Sequence, residues 1–251
     1  MGAAFKCAGQ ALEIALASNI TGTITEAQVR VAFLHFRLGH YSRAREMAEN
    51  ALALNKIDSI SHVDAWLVLG NCAAETNNLS AATECYLHAI DLSRQMGYSL
   101  ALMRGLHNLA TGIYLPHGKF ELALSADKEV ARLANEHQVP KLLWGALVTI
   151  AWIYWLIGRH RQSTATVDEL LCIATPGSLE EGYGFWLKGN LAQESGAFDQ
   201  VLPLYARARS IAEAIGEPGL GILVRLGPSR FHRSQGDAAA SREWAEDALT
   251  M

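Results

Sequence analysis

Gly112 to Lys119 is the stretch of the chain that comes closest to a chemical motif. A phosphate loop turns backbone N–H groups toward the anion between two glycines four residues apart, then supplies Lys and a Ser or Thr. Here five residues separate Gly112 from Gly118, Phe120 follows Lys119, and no strand leads into the turn. Gly182-Tyr183-Gly184 begins like a dinucleotide fingerprint but lacks the third glycine and a launching strand. Glu180 and Glu181 are adjacent, so they do not share a helix face as an acid/base pair prefers. They suit the first turn of a helix, whose dipole favours negative charge. Ser, His and Asp occur without a nucleophile elbow. Cys7, Cys72, Cys85 and Cys172 have no C-x-x-C spacing and the histidines are scattered, which predicts reduced, mostly buried thiols and no metal site. No enzyme, cofactor or metal chemistry is expected.

The formal charge of -4 over 251 residues gives no basic field of the kind that draws proteins to nucleic acid or anionic lipid. Arg225, Arg230, Arg233 and Arg242 with His232 form one local basic cluster. Such a cluster could meet nucleic acid, a phosphorylated partner or an acidic surface. The favoured expectation is a solvated helix end with Glu243 and Glu246 as counter-charges. Lys6 precedes an apolar run ending in Ala15-Leu16-Ala17 that looks like a signal-peptide cleavage site. Gln10 and Glu13 interrupt it and fit instead the polar face of an amphipathic helix that buries Ala8, Leu12, Ile14 and Leu16. Leu142 to Ile157 is the most apolar window and Arg159 stops it, so no membrane span and a cytoplasmic location are expected.

The elements that must position these residues are set by a metre. Gly39, Asn77, Gly118, Gly158, Gly196 and Gly236 lie 38, 41, 40, 38 and 40 residues apart, each between two apolar helical stretches. A single globular core would not impose that interval, which is in the range of helix-pair repeats that stack on their neighbours. The fold class predicted is all-α: an α-solenoid, a right-handed superhelix of about six antiparallel helix pairs forming one domain over residues 1–251. The expected repeats are 25–57, 62–96, 102–137, 141–175, 180–216 and 219–251, preceded by an orphan second helix at 3–18. Neither end carries a polar capping helix, so the chain is expected to be a piece of a longer protein or to self-associate through its terminal helices.

Within Val63 to Leu92, Trp66, Leu69 and Gly70 share one helical face, Asn77 breaks the helix, and Ala82, Tyr86 and Ala89 mark a second face. This resembles the tetratricopeptide repeat, where small residues let paired helices approach closely. The pattern recurs as Ala32 with Ala44, Ala48 and Ala51, as Leu109 and Ala110 with Ala123, and as Gly189 with Tyr205 and Ala208. It weakens at Ala151 and Tyr154, where Ser163 and Val167 follow, and in the last pair, where Pro228 falls inside the first helix. The period exceeds that of the commonest form because second helices run on to Gly97 or Gly216, glycines suited to a left-handed cap. The longer form resembles the MalT-like tetratricopeptide region of bacterial ATP-dependent transcription activators and signalling ATPases.

That resemblance implies a groove lined by first helices. Carried over to this sequence it comprises Phe33 and Arg37, then Asn71 and Glu75, then Arg104, His107, Thr111 and Tyr114. Trp152 and Trp155, Trp186, Asn190 and Gln193, and finally Arg230 and Arg233 complete it. Trp, Tyr and Arg most often dominate interfaces, and a short amide such as Asn71 or Asn190 can hold the backbone of an extended peptide. Trp152 and Trp155 have packing between repeats as the competing role, because their helix is apolar nearly all round. The implied function is a non-catalytic scaffold that binds a protein or peptide segment, as the sensor or interaction part of a bacterial transcriptional or signalling regulator. The alternative is a receptor for a small-molecule inducer, walled by Trp152, Trp155 and Tyr114.

Overall fold

A computed structural model describes residues 2–54 and 59–250, with side-chain surroundings given from residue 6 onward. The expected repeat edges at residues 57 and 251 lie outside the described residues. Those residues form helices and turns, with no strand among them. The chain divides into two compact units, residues 1–137 and 138–251. In the first, α1 (Gly2–Ser18) precedes three pairs: α2 (Thr21–Arg37) with α3 (Tyr41–Leu54), α4 (Ile60–Glu75) with α5 (Leu79–Met96), and α6 (Ser99–Leu109) with α7 (Phe120–Glu136). A π-helical turn, Ala110–Tyr114, extends α6. The second unit has α8 (Pro140–Leu156) with α9 (His160–Ile173), α10 (Leu179–Ser195) with α11 (Phe198–Ile215), and α12 (Pro218–Ser234) with α13 (Ala238–Leu249).

The metre in the sequence is a metre of turns. All six of its residues have positive φ, from 58° at Asn77 to 81° at Gly236, a conformation that ends one helix and aims the chain back along it. The long second helices α5 and α11 end at Gly97 and Gly216, also left-handed. Starts are capped by side chains: Ser178 accepts from the Glu181 N–H, Glu181 in turn accepts from the Gly177 N–H at 2.7 Å, and Asp237 accepts from Ala240.

Pairs close because small residues sit where two helices meet. Ala32, Ala44, Ala48, Ala82, Ala151 and Ala208 are fully buried. Ser163 belongs to this set, since its hydroxyl donates to the Ala151 carbonyl at 2.8 Å and so loses nothing on burial. Pro228 is accommodated inside a continuous α12. Within each unit the first helices also touch one another, α2 on α4 on α6 and α8 on α10 on α12, whereas no two second helices make a comparable contact. Within each unit the first helices therefore form one continuous packed face.

Three expectations are corrected. Ile14 and Leu16 face solvent, Ile14 being 71% exposed, and α1 instead packs through Ala8, Leu12 and Ala15, one helical turn apart on a single stripe. Cys7 and Cys172 are exposed, and only Cys72 is buried. Arg225 is not part of a solvated cluster: it is 5% exposed and donates from Nε to Asp247 at 2.8 Å, from Nη2 to Glu213 at 3.3 Å and from Nη1 to the Gly221 carbonyl at 2.9 Å. Its counter-charges come from α11 and α13, not from Glu243 and Glu246. No helix among the described residues is long and apolar enough to cross a membrane.

Candidate functional site

Two of the expected site residues turn out to organise the helix pairs. In the first unit Gly70 lets the Tyr86 ring lie against α4, where a Cβ would come within 2.6 Å of it. The Tyr86 hydroxyl then donates to Asn71 Oδ1 at 2.8 Å, and Asn108 of the next first helix donates to the same oxygen at 2.9 Å. The second unit repeats this arrangement with Gly189, Asn190 and Tyr205. Tyr205 donates to Asn190 Oδ1 at 2.7 Å and Arg230 donates to the same oxygen at 2.5 Å. In each unit one amide oxygen thus ties a second helix to two successive first helices, and in the second unit that amide is buried. This was legible as a recurring spacing, since Gly70-Asn71 and Gly189-Asn190 are each followed fifteen residues on from Asn by Tyr86 and Tyr205. Where the tyrosine is absent the asparagine is too: Phe33 faces a pair closed by Ala48, and Trp152 one closed by Val167.

Burial drives the Tyr205 hydroxyl up to about 12, the nearby Arg230 guanidinium drawing it back only in part, and burial raises Tyr86 as well. Both folded values stand above the ordinary 10, so the unfolded chain ionises first. The contribution of Tyr205 to stability is whole below pH 10 and is lost as pH rises toward 12. Alkaline titration should therefore show tyrosinate absorbance and helix loss rising together in that window, and Tyr205→Phe should move the helix loss to higher pH. Early tyrosinate absorbance from Tyr205 with helicity intact would contradict its burial.

The remaining expected residues separate by unit. In the first, Phe33 is 44% exposed on α2, and Arg37, Glu75 and Arg104 are exposed. His107 meets the buried Asp127 carboxylate at 2.9 Å, Thr111 donates to the His107 carbonyl, and Tyr114 is half-buried on the π turn. In the second unit, Trp155, Gln193, Arg230 and Arg233 surround one cavity of about 310 Å³ together with Glu194 and Ser234. The Arg230 guanidinium lies 5.0 Å above the centre of the Trp155 ring. Glu194 and Ser234 were not anticipated, because they adjoin expected residues without matching the inherited positions.

Trp186 and Asn190 are not groove surface. Trp186 is 2% exposed and Asn190 1%. The Trp186 ring is edge-on to Trp152 at 5.4 Å, Tyr183 at 6.3 Å and Trp155 at 6.4 Å between centroids. Trp152 is half-buried against this core, so packing is its main role, whereas Trp155 reaches the cavity. Among the described residues no three His, Cys, Asp or Glu side chains gather as a metal site would require.

Residues 63–96 match the family pattern of the tetratricopeptide repeat. No curated protein matches the sequence. Several solved structures match the fold. The Rap conjugation gene regulator of plasmid pLS20 in complex with the Phr* peptide is 13% identical, with 91% of this chain and 73% of that one covered and a TM-score of 0.64. The apo quorum sensor NprR from B. thuringiensis is 12% identical, with 91% and 64% covered and a TM-score of 0.71. The type IV pilus biogenesis factor PilW is 15% identical, with 88% and 90% covered and a TM-score of 0.68. At these identities the likeness establishes the fold, an all-α solenoid of tetratricopeptide-like pairs.

Proposed function

We propose that the chain is a non-catalytic scaffold that captures an extended peptide or protein segment on its first-helix faces, as the sensor or interaction part of a cytoplasmic bacterial regulator. The observation that carries this reading is the packing asymmetry within each unit: among the described residues first helices pack on one another and second helices make no comparable contact. A wall of parallel first helices results, and on it polar and aromatic side chains remain accessible. Phe33, Arg37 and Arg104 supply them in the first unit and Trp155, Gln193 and Arg233 in the second. Large aromatic and guanidinium groups of this kind bury much area while keeping a polar handle. Support also comes from the fold's company, which includes a regulator solved with its peptide and a quorum sensor.

Selection of displayed peptides on the full chain tests the reading. Trp155→Ala and Arg104→Glu, both on accessible side chains, should each weaken the selected segments about tenfold or more, a change of about 1.4 kcal/mol, with helicity by circular dichroism unchanged. Segments that bind both variants as tightly as the parent would remove the first-helix faces as the binding surface.

A further inference from the structure

The two units solve the same packing problem with different chemistry. In the first, the donor that reaches across to Asn71 is the neutral amide of Asn108. In the second, the donor that reaches across to Asn190 is the cation of Arg230. A latch of this kind needs one N–H. Arginine brings five, in a planar fork, together with a charge that is costly to hold away from water without an anion. Arg230 uses one terminal nitrogen on Asn190, and its Nε is buried without an acceptor. The Asn190 side-chain nitrogen, on a residue 1% exposed, is likewise buried without one. Three other arginines of the same unit are matched: Arg207 to Glu181, Arg209 to Glu213 and Asp247, and Arg225 to the same two carboxylates. Among the described residues Arg230 and Arg233 have no such match, nor do the exposed Arg161 and Arg242, but of these four only Arg230 holds a buried nitrogen without an acceptor.

Resting on the reading proposed above, we infer that the cavity bounded by Trp155, Gln193, Arg230 and Arg233 receives a single carboxylate carried by the captured segment. Three observations select that chemistry. The cavity lining carries two cations, Arg230 and Arg233, and one anion, Glu194, so one negative charge neutralises it. A doubly charged phosphate would leave an excess beside Glu194. The cavity volume of about 310 Å³ admits one acid-bearing residue and sits at the small end of ligand sites. Finally, Arg230 is already fixed, its terminal nitrogen on Asn190 and its plane over Trp155. Little side-chain freedom remains to be lost when its free edge meets a planar carboxylate.

The test reads the site directly, by following the arginine Nε–Hε resonances in the full chain, assigned with Arg230→Gln and Arg233→Gln. N-acetyl-leucine carries an α-carboxylate, and the N-acetyl amide of aspartate a side-chain one. Titration of each to about 50 mM, above the millimolar range of a weak single contact, should shift the Arg230 signal. The stronger of the two identifies the source of the carboxylate. N-acetyl-leucinamide should leave the signal in place, Arg233→Gln should weaken the Arg230 shift at least tenfold, and Arg230→Gln should weaken the accompanying Arg233 shift to the same degree. Arg233 is exposed, so Arg233→Gln tests the cavity without touching the fold. Absence of a carboxylate-dependent shift, or a larger shift with inorganic phosphate, overturns the inference. Selected peptides that ignore both glutamine variants also overturn it while leaving the scaffold reading intact. Small carboxylates that bind a chain from which no peptide can be selected uphold the site and defeat the scaffold reading.

Discussion

Replacing Trp186 with alanine is expected to destabilise the second unit by about 3–5 kcal/mol, the range for removing a large aromatic from a core that relaxes only in part. The side chain is 2% exposed and three aromatic rings pack edge-on to it. Its loss would consume a large share of the ~5–15 kcal/mol that holds a typical domain folded. Tryptophan fluorescence during urea denaturation checks this well, because five of the six tryptophans lie in residues 138–251. Trp186→Phe should fall between the parent and Trp186→Ala. A Trp186→Ala midpoint within about 1 kcal/mol of the parent, outside the cost of such a cavity, would show that the ring is not a core element. The result also governs how binding is measured: a ligand lost by Trp186→Ala would report unfolding, whereas Trp155→Ala acts on an accessible ring.

Gly227→Val is expected to cost about 3 kcal/mol, the upper end of what overpacking a closed core costs. A Cβ built at Gly227 stands 2.4 Å from Tyr205 Cε1 and 2.5 Å from Cζ, while a Cβ at Gly189 on the other side stands 2.8 Å from the same ring. The ring is held between two backbones with its hydroxyl on Asn190, so it has no direction in which to yield. Even Gly227→Ala should lose stability, although alanine in a helix ordinarily gains about 0.5–1 kcal/mol over glycine. Tyr205→Leu should reduce the cost of Gly227→Ala, since coupled neighbours are non-additive. Gly22→Ala is the control: nothing lies within 4 Å of its Cβ, and the substitution should stabilise α2. Additive effects of the Tyr205 and Gly227 substitutions would contradict the close approach.

Much of this architecture can be read along the chain. Left-handed turns recur because each pair must reverse direction in a few residues, and glycine and asparagine are the residues that tolerate the required φ. Alanines and glycines recur opposite one another because helix axes converge there. The carbonyl-satisfied Ser163 shows why a seemingly poor residue still fits, its hydroxyl bonding back to Ala151.

The candidate site was legible only where helical periodicity decides direction. Arg230 and Arg233, three residues apart, share a face, and both reach one cavity. Arg225, five residues before Arg230, points about 140° away around the helix and is taken by Asp247 and Glu213. Trp155 and Trp186 could not be distinguished in this way. A first helix touches its own partner and the first helices on either side, so several of its stripes are apolar whether or not they face solvent. Residue order alone therefore determined the helices, their turns and the close approaches that need small side chains. Which tryptophan is core and which is surface, and that Asn190 serves its neighbours before any ligand, was decided by the stacking of successive pairs, because burial depends on contacts between helices that lie about forty residues apart in sequence.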